Sequence, residues 1–276
     1  MLRKLNYKFK KYTYKYSDSL ENEEAVNLYW WRGTPNLGDA LNKSLVEKIS
    51  NKKVVWTDST SNFKYYMAVG SVLQLANPNT EVWGSGLISK HAKPLFKPNK
   101  IHAVRGPLTR KILLDMGFEC PKVYGDPAIL LPRYFNINTT KKYKIGIIPH
   151  FVDKFLLPPQ KDLPDYISVI DIETTDVISF LNAVCECEMI VSSSLHGIVI
   201  ADAYGIPSSR VCFSNNISGG DFKFCDYSLS AGREKYKATN LIGKKLDKSL
   251  TKLNFELGSP DCEPLLSNCP FGLDIQ

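Results

Sequence analysis

Apolar residues in this chain gather into short β-branched and aromatic runs, and between the runs the spacing becomes that of a helix. Residues 26–31 form one such run and predict a strand. Asn36-Leu-Gly-Asp39 then turns the chain, and Leu41, Leu45 and Ile49 recur on one helical face. Short strands are expected at 54–57, 65–69 and 81–83, the last two stopped by Gly70-Ser71 and Gly84-Ser-Gly86. The run 101–104 leads into Arg105-Gly-Pro107 and a helix to Met116; Pro107 suits a first helical turn and Gly117 a helix end. Val123 and Tyr124 lead to the turn sequence Gly125-Asp-Pro127.

Residues 136–143 are polar, lysine-rich and without a period, so the chain divides there. The pattern restarts with strands at 144–148, 166–170 and 189–191, a helix over 176–185 and another ending at Tyr204 before Gly205. A strand at 210–213 follows. Leu246, Leu250, Leu253 and Leu257 predict a helix over 244–257 docked by its leucine stripe. Strands alternating with helices imply an α/β chain with two doubly wound parallel sheets. The expected units are a basic flexible arm over 1–22, two Rossmann-like domains over 23–138 and 139–240, and a C-terminal helix and tail over 241–276.

The 276 residues are 43% hydrophobic, enough to bury a sizeable core. No stretch approaches the roughly 20 apolar residues that cross a bilayer, and the N-terminus lacks a signal-peptide core, so a cytoplasmic location is expected. The net charge of +7 is uneven: residues 1–16 hold six Lys/Arg and no acid, and Lys244, Lys245, Lys248 and Lys252 form a second basic stretch. Such patches suit phosphate-rich partners, an anionic membrane surface among them. The seven cysteines are an odd number, and Cys185 and Cys187 are poorly spaced for zinc. They read as small apolar residues or surface thiols, with a bond between Cys262 and Cys269 left open. No Walker loop, Gly-x-Gly-x-x-Gly, Gly-x-Ser-x-Gly elbow, metal-ligand cluster or RNA-binding signature is present, so no metal, cofactor or nucleic acid is expected.

The informative residues sit where strands end, which is where α/β sheets bind ligands. In Ser192-Ser-Ser-Leu-His-Gly197 a strand gives way to a helix start, whose free amides attract a phosphate or carboxylate. Ser193, Ser194, Leu195, His196 and Gly197 are therefore candidate ligand contacts, with His196 the candidate acid; the plainer alternative is a serine cap beside a packed histidine. Arg105, at another strand end, can grip a carboxylate or phosphate bidentately, and Arg32 can add charge. Asn36, Gly38 and Asp39 repeat the strand-to-helix geometry in the first half; Asp39 either takes a proton from a sugar hydroxyl or caps the helix. His150 follows a strand and can bond a sugar or phosphate. Asp126 reads as a structural turn residue, and His91 and His102 belong to no constellation.

In order and spacing, five motifs together resemble the polysaccharide pyruvyl transferase family, its bacterial exopolysaccharide and capsule branch in particular. They are Asn36-Leu-Gly-Asp39 after an aromatic strand, Val82-Trp-Gly-Ser-Gly86, His102-Ala-Val-Arg-Gly-Pro107, Gly125-Asp-Pro127 and Ser193-Ser-Leu-His-Gly197, and the likeness spans about residues 26–235. The resemblance implies a fold like GT-B glycosyltransferases, with two Rossmann-like domains around a cleft. It also implies transfer of pyruvate from phosphoenolpyruvate, a co-substrate, onto a sugar as a cyclic ketal, with release of phosphate. The family's donor-binding histidine maps onto His196 and its arginine onto Arg105. Some members carry an arginine two residues before that histidine; Ser194 stands here, and Arg32 or Arg233 is the expected substitute. The acceptor in such pathways is often lipid-linked at the inner face of the cytoplasmic membrane, which gives the basic arm a docking role.

Two other functions share these features. A nucleotide-sugar glycosyltransferase has the same fold and needs a carboxylate on ribose, for which Asp171 or Glu173 could serve. A non-catalytic sugar-binding or scaffold subunit would bind acceptor and release no phosphate.

Overall fold

The computed structural model describes residues 25–234 and 237–272. The basic arm expected over 1–22 lies outside the described residues.

The first half begins with strand β1 (Ala25–Tyr29), helix α1 (Leu37–Ser50) and strands β2 (Lys53–Trp56), β3 (Tyr65–Met67), β4 (Thr80–Trp83) and β5 (Lys100–Ala103). Helix α2 (Pro107–Asp115) starts at Pro107, and a short helix α3 (Leu131–Tyr134) ends the half. The second half contains β6 (Tyr143–Ile148), β7 (Ile167–Val169), α4 (Val177–Cys185), β8 (Cys187–Ser192), α5 (Leu195–Ala203) and β9 (Ser208–Cys212). Helix α6 (Phe222–Ser230), strand β10 (Thr239–Asn240) and helix α7 (Glu263–Ser267) complete it.

Each half carries one five-stranded parallel sheet, in the orders β2-β1-β3-β4-β5 and β10-β9-β8-β6-β7. Both orders reduce to the same doubly wound pattern, in which the chain reverses direction across the sheet between its first and third strands. The reversal lies between β1 and β3 in one half and between β6 and β8 in the other. At such a reversal the connections leave to opposite sides and open a crevice at the carboxyl ends of the two strands.

One apolar cluster runs through both halves, from Leu28, Leu41 and Trp83 to Ile148, Leu195 and Ile198. The two sheets are thus halves of one packed body. The chain also returns: α6 lies on α2, and the Trp83 indole donates to the Leu265 carbonyl of the α7 segment at 2.9 Å.

The return at α6 is secured by charge. Arg105, at the end of β5, is fully buried, and its guanidinium lies against Asp226 of α6 at 3.1–3.2 Å. The same carboxylate accepts the Leu108 and Thr109 amides at 2.9 Å and the Thr109 hydroxyl at 2.6 Å. It therefore caps α2, whose own cap position, Gly106, has no side chain. A Cβ at Gly106 would sit 1.9 Å from the Asp226 carbonyl oxygen, so glycine is required for α6 to approach.

The helix expected over 244–257 is absent. The Asp247 carboxylate accepts from the Ser249 amide and starts only a 3₁₀ turn, Lys248–Lys252. Leu246 and Leu250 still reach the core, with Leu253 packed against it, while Leu257 is half exposed. The chain then pairs Glu256 with Ser208. All seven cysteines are free thiols, Cys262 and Cys269 included.

Removing one partner of a buried ion pair leaves the other charge unmatched, which costs about 3–5 kcal/mol. Asp226→Ala is expected to lower unfolding stability by that order in urea melts. The double variant Arg105→Met/Asp226→Leu is expected to lose less than Asp226→Ala alone.

Candidate functional site

Both chain reversals point at the same place. At the first, Asn36 is the helix cap: its side-chain oxygen accepts the Asp39 amide at 3.3 Å, and its amide donates to the Asp39 carboxylate. The capping alternative for Asp39 is thereby corrected, because Asn36 fills that position and leaves the Asp39 carboxylate in the first turn. Asn42, fully buried, bonds both the N–H and the carbonyl of Val69 at 3.0 Å and pins α1 to the end of β3. Burial raises the Asp39 carboxyl to about 7, against the opposing bonds from Asn36 and the Trp31 backbone.

At the second reversal, β6 delivers His150 and β8 delivers Ser192–Ser194 and then α5. Ser193 is buried; its hydroxyl accepts the His150 amide at 2.8 Å and donates to the buried Asp153 at 2.7 Å. That carboxylate also accepts from the Ser214 hydroxyl. Ser194 stands at the cap position of α5 but makes no side-chain capping bond, and Leu195 begins the helix. Gly197 leaves room for the Ser192 side chain, 2.3 Å from where its Cβ would lie.

The two reversals touch. A Cβ on Gly38 would fall 2.0 Å from His196 Nδ1, so the imidazole lies flat against the first turn of α1 from the other half. His196 Nε2 faces Asp126 Oδ2 at 3.7 Å, too far for a hydrogen bond. Both atoms are sealed from solvent and have no hydrogen-bond partner among the described residues. Asp126 otherwise accepts the Ala128 amide at 3.1 Å, which is the turn role legible in the sequence. Burial raises its carboxyl to about 6, with the Ala128 bond and Arg105 pulling the other way.

The site is dominated by positive charge. Burial, then Lys223, Arg105 and His150, push His196 down to about 3. Burial and Lys223 push His150 down to about 4. Lys223, the second residue of α6, is itself lowered to about 8 by burial and by Arg105 and Arg210. Both imidazoles are neutral at pH 7; an anion between them would act oppositely and raise their affinity for a proton.

The sequence-derived residues therefore separate. His196, His150, Ser194, Leu195, Asn36, Gly38 and Asp39 are brought to the two facing strand ends. Arg105 is drawn into the wall: besides Asp226, it donates to the Ser71 hydroxyl at 2.6 Å and the Leu87 carbonyl at 2.7 Å. Ser193 is likewise taken up by His150 and Asp153. In this structure the polar groups of Arg105 and Ser193, both expected to bind the donor, bond within the fold. Arg32 stacks over Trp56 at 4.8 Å, and Arg233 is buried against Asp202 and the Ser208 carbonyl. Asp171 and Glu173 both accept from Lys154, at 2.6 and 2.8 Å. Lys223 and the Asp126–His196 contact were not legible: Lys223 lies outside every motif, and the contact joins two motifs remote from each other in sequence.

A carboxyl raised by burial prefers its proton in the folded state, so ionisation favours unfolding. That penalty is absent below the unfolded value of about 4 and complete above about 7. Asp39→Asn is expected to raise the melting temperature at pH 8, and the gain is expected to shrink between pH 7 and pH 5. Equal shifts at both ends of that range would show that Asp39 is not held protonated.

The polysaccharide pyruvyl transferase family model matches residues 1–215. The chain is 35% identical over 234 residues to the uncharacterized protein L143 of Acanthamoeba polyphaga mimivirus, covering 79% of this chain and 80% of that one. It is 28% identical over 203 residues to the succinoglycan biosynthesis protein ExoV of Rhizobium meliloti (strain 1021), covering 71% of this chain and 52% of that protein. Among the described residues no helix is long and apolar enough to cross a membrane. The chain belongs to the polysaccharide pyruvyl transferase family, enzymes that transfer pyruvate to a polysaccharide.

Proposed function

We propose that this protein takes pyruvate from phosphoenolpyruvate and joins it to two hydroxyls of a sugar in a polysaccharide precursor, closing a cyclic ketal and releasing phosphate. The observation that carries this is the contact of His196 with Gly38. It brings an imidazole, the start of α5 and the Asp39 carboxyl into one place from the two halves.

Phosphoenolpyruvate bears a phosphate and a carboxylate on one carbon. The free amides and partial positive charge at the start of α5 suit either group. With the anion seated, His196 regains a proton and gives it to the methylene carbon, leaving the adjacent carbon electrophilic. A sugar hydroxyl attacks that carbon while Asp39, raised to about 7, takes its proton. The C–O bond to phosphate then breaks, and the second hydroxyl closes the ketal as its proton leaves on phosphate. Two hydrogens leave the acceptor, one ending in the new methyl group and one on phosphate. Asn36 and Gly38 line the acceptor side, while His150, first expected to meet the acceptor, stands at the second reversal with His196.

The equal sheet orders and the joint between halves fit a GT-B-like arrangement. The acceptor we favour is lipid-linked, presented at the inner face of the cytoplasmic membrane, where a peripheral protein meets it. The name of ExoV, a succinoglycan biosynthesis protein, supports a place in exopolysaccharide assembly. The nucleotide-sugar alternative loses support because its candidate ribose carboxylates, Asp171 and Glu173, share Lys154.

The test is phosphate release from phosphoenolpyruvate with galactose-, glucose- and mannose-containing acceptors. Release is expected to depend on acceptor. His196→Ala is expected to lower it about 10²- to 10⁴-fold. Gly38→Ala, which displaces the imidazole, is expected to lower it about 10²-fold. Absence of release with every acceptor, together with thermal stabilisation by UDP or GDP and none by phosphoenolpyruvate, would overturn the proposal.

A further inference from the structure

Between two parallel strands the chain has to cross back along the sheet, and a helix usually does this. The connection from β4 to β5, the edge strand of the first sheet, contains no helix. Residues 84–99 are held at both ends instead. The Leu87 amide donates to the Thr109 hydroxyl and the Ile88 amide to the Gln74 side chain, both at 3.2 Å. At the far end the Asn99 amide donates to the Thr80 carbonyl at 2.9 Å. Between these anchors Pro94 and Pro98 are buried, and Leu95-Phe96-Lys97 stands out from the surface between them. Leu95 is 87% exposed, the highest value for a large apolar side chain among the described residues, and Phe96 is 56% exposed. A connection of this length without secondary structure is uncommon unless it has a task.

The surroundings of this tip indicate its partner. Lys90, Lys93, Lys97 and Lys100 are all exposed, and none of them forms an ion pair or hydrogen bond among the described residues. The sequence holds no Asp or Glu from Val82 to Leu114. Glu81 is taken by His102 at 2.8 Å and Lys64 at 3.3 Å, and Glu119, which borders the same surface hollow as Lys97 and Lys100, pairs with none of the four lysines. The other strongly exposed apolar tip, Phe155 at 83%, is built differently, because its neighbour Lys154 is bound by Asp171 and Glu173. Exposed Leu and Phe interleaved with unpaired lysines suit the boundary between water and anionic lipid, where apolar groups enter the acyl region and lysine stems reach back to the headgroups. A protein partner fits less well, since the centres of protein interfaces are depleted in lysine.

We infer that the β4–β5 connection is a membrane-docking element: Leu95 and Phe96 insert into the surface of an anionic bilayer, and Lys90, Lys93, Lys97 and Lys100 hold its phosphate headgroups. Docking then belongs to the folded first half and does not depend on the arm over 1–22. It sets the half that carries Asp39 against the surface where a lipid-linked acceptor is anchored. That last link rests on the proposed function, whereas binding to lipid can be read without any transfer.

Flotation of the full chain with vesicles of phosphatidylcholine, pure or mixed with phosphatidylglycerol, tests this. Wild type is expected to float with the mixed vesicles only, and less as salt is raised. Leu95→Ser/Phe96→Ser is expected to weaken that binding about 10- to 100-fold. Lys90→Gln/Lys93→Gln/Lys97→Gln/Lys100→Gln is expected to weaken it about 100-fold and to flatten its salt dependence. Phe155→Ser/Leu156→Ser is expected to bind as wild type does. None of these variants is expected to change phosphate release with a water-soluble acceptor. Should Leu95→Ser/Phe96→Ser fail to fold, the lysine variant decides. Wild-type affinity in the tip and lysine variants, as when the arm alone docks, would overturn the inference. So would a wild type that binds neither vesicle, and a dimer that Leu95→Ser/Phe96→Ser dissociates would then assign the tip to contact between copies. Vesicle binding that both variants lose, in a protein whose wild type transfers no pyruvate to any acceptor, would uphold the docking element and count against the transfer reading.

Discussion

A guanidinium sealed from water has to be matched by a carboxylate, and the pairing of Arg105 with Asp226 is the constraint on which the rest of this structure hangs. It decides where α6 lies. It satisfies the open amides of α2, and it requires glycine at position 106. Lys223 lies one turn away on the same helix, and its charge lowers the proton affinity of both His196 and His150.

The site works by an imbalance of charge. The second reversal collects an ammonium and two imidazoles with the positive end of a helix, and the nearest buried carboxylate, Asp126, meets His196 without bonding it. The first reversal offers a carboxyl that burial keeps near neutrality. One side thus favours an incoming anion, and the other favours a hydroxyl that must lose a proton. Groups with opposite tasks stay apart because each belongs to a different sheet, and they meet because both sheets reverse at the same point.

Much of this framework could be read from the chain itself. Strand runs ending in Gly, Ser, His or Asn-x-Gly-Asp marked the carboxyl ends correctly, since β-branched runs and helix-start residues are local signals. Partners across the fold were not legible. Nothing near Arg105 indicates that its carboxylate lies at Asp226, so an arginine at a strand end looked like a ligand contact. Helix α6 follows Gly219 and Gly220 and has only nine residues, and the pattern predicted no element between the strand at 210–213 and residue 244, so Lys223 went unmarked. The leucine spacing of 246–257 was a true sign of burial, but Asp247 bonds its own backbone and stops a helix from forming.

The return of the chain also bears on how the protein is made. Trp83 waits for a carbonyl 182 residues later in sequence, and Arg105 for a carboxylate 121 residues later. While the first half emerges during synthesis it holds a charge and an indole N–H that cannot yet be buried with partners. Contacts so distant in sequence slow folding and favour completion after the chain is released over half-by-half assembly on the ribosome. A fragment ending at 215, where the family match stops, would carry both strands of the second reversal and still lack Lys223 and the carboxylate that lets the first half close.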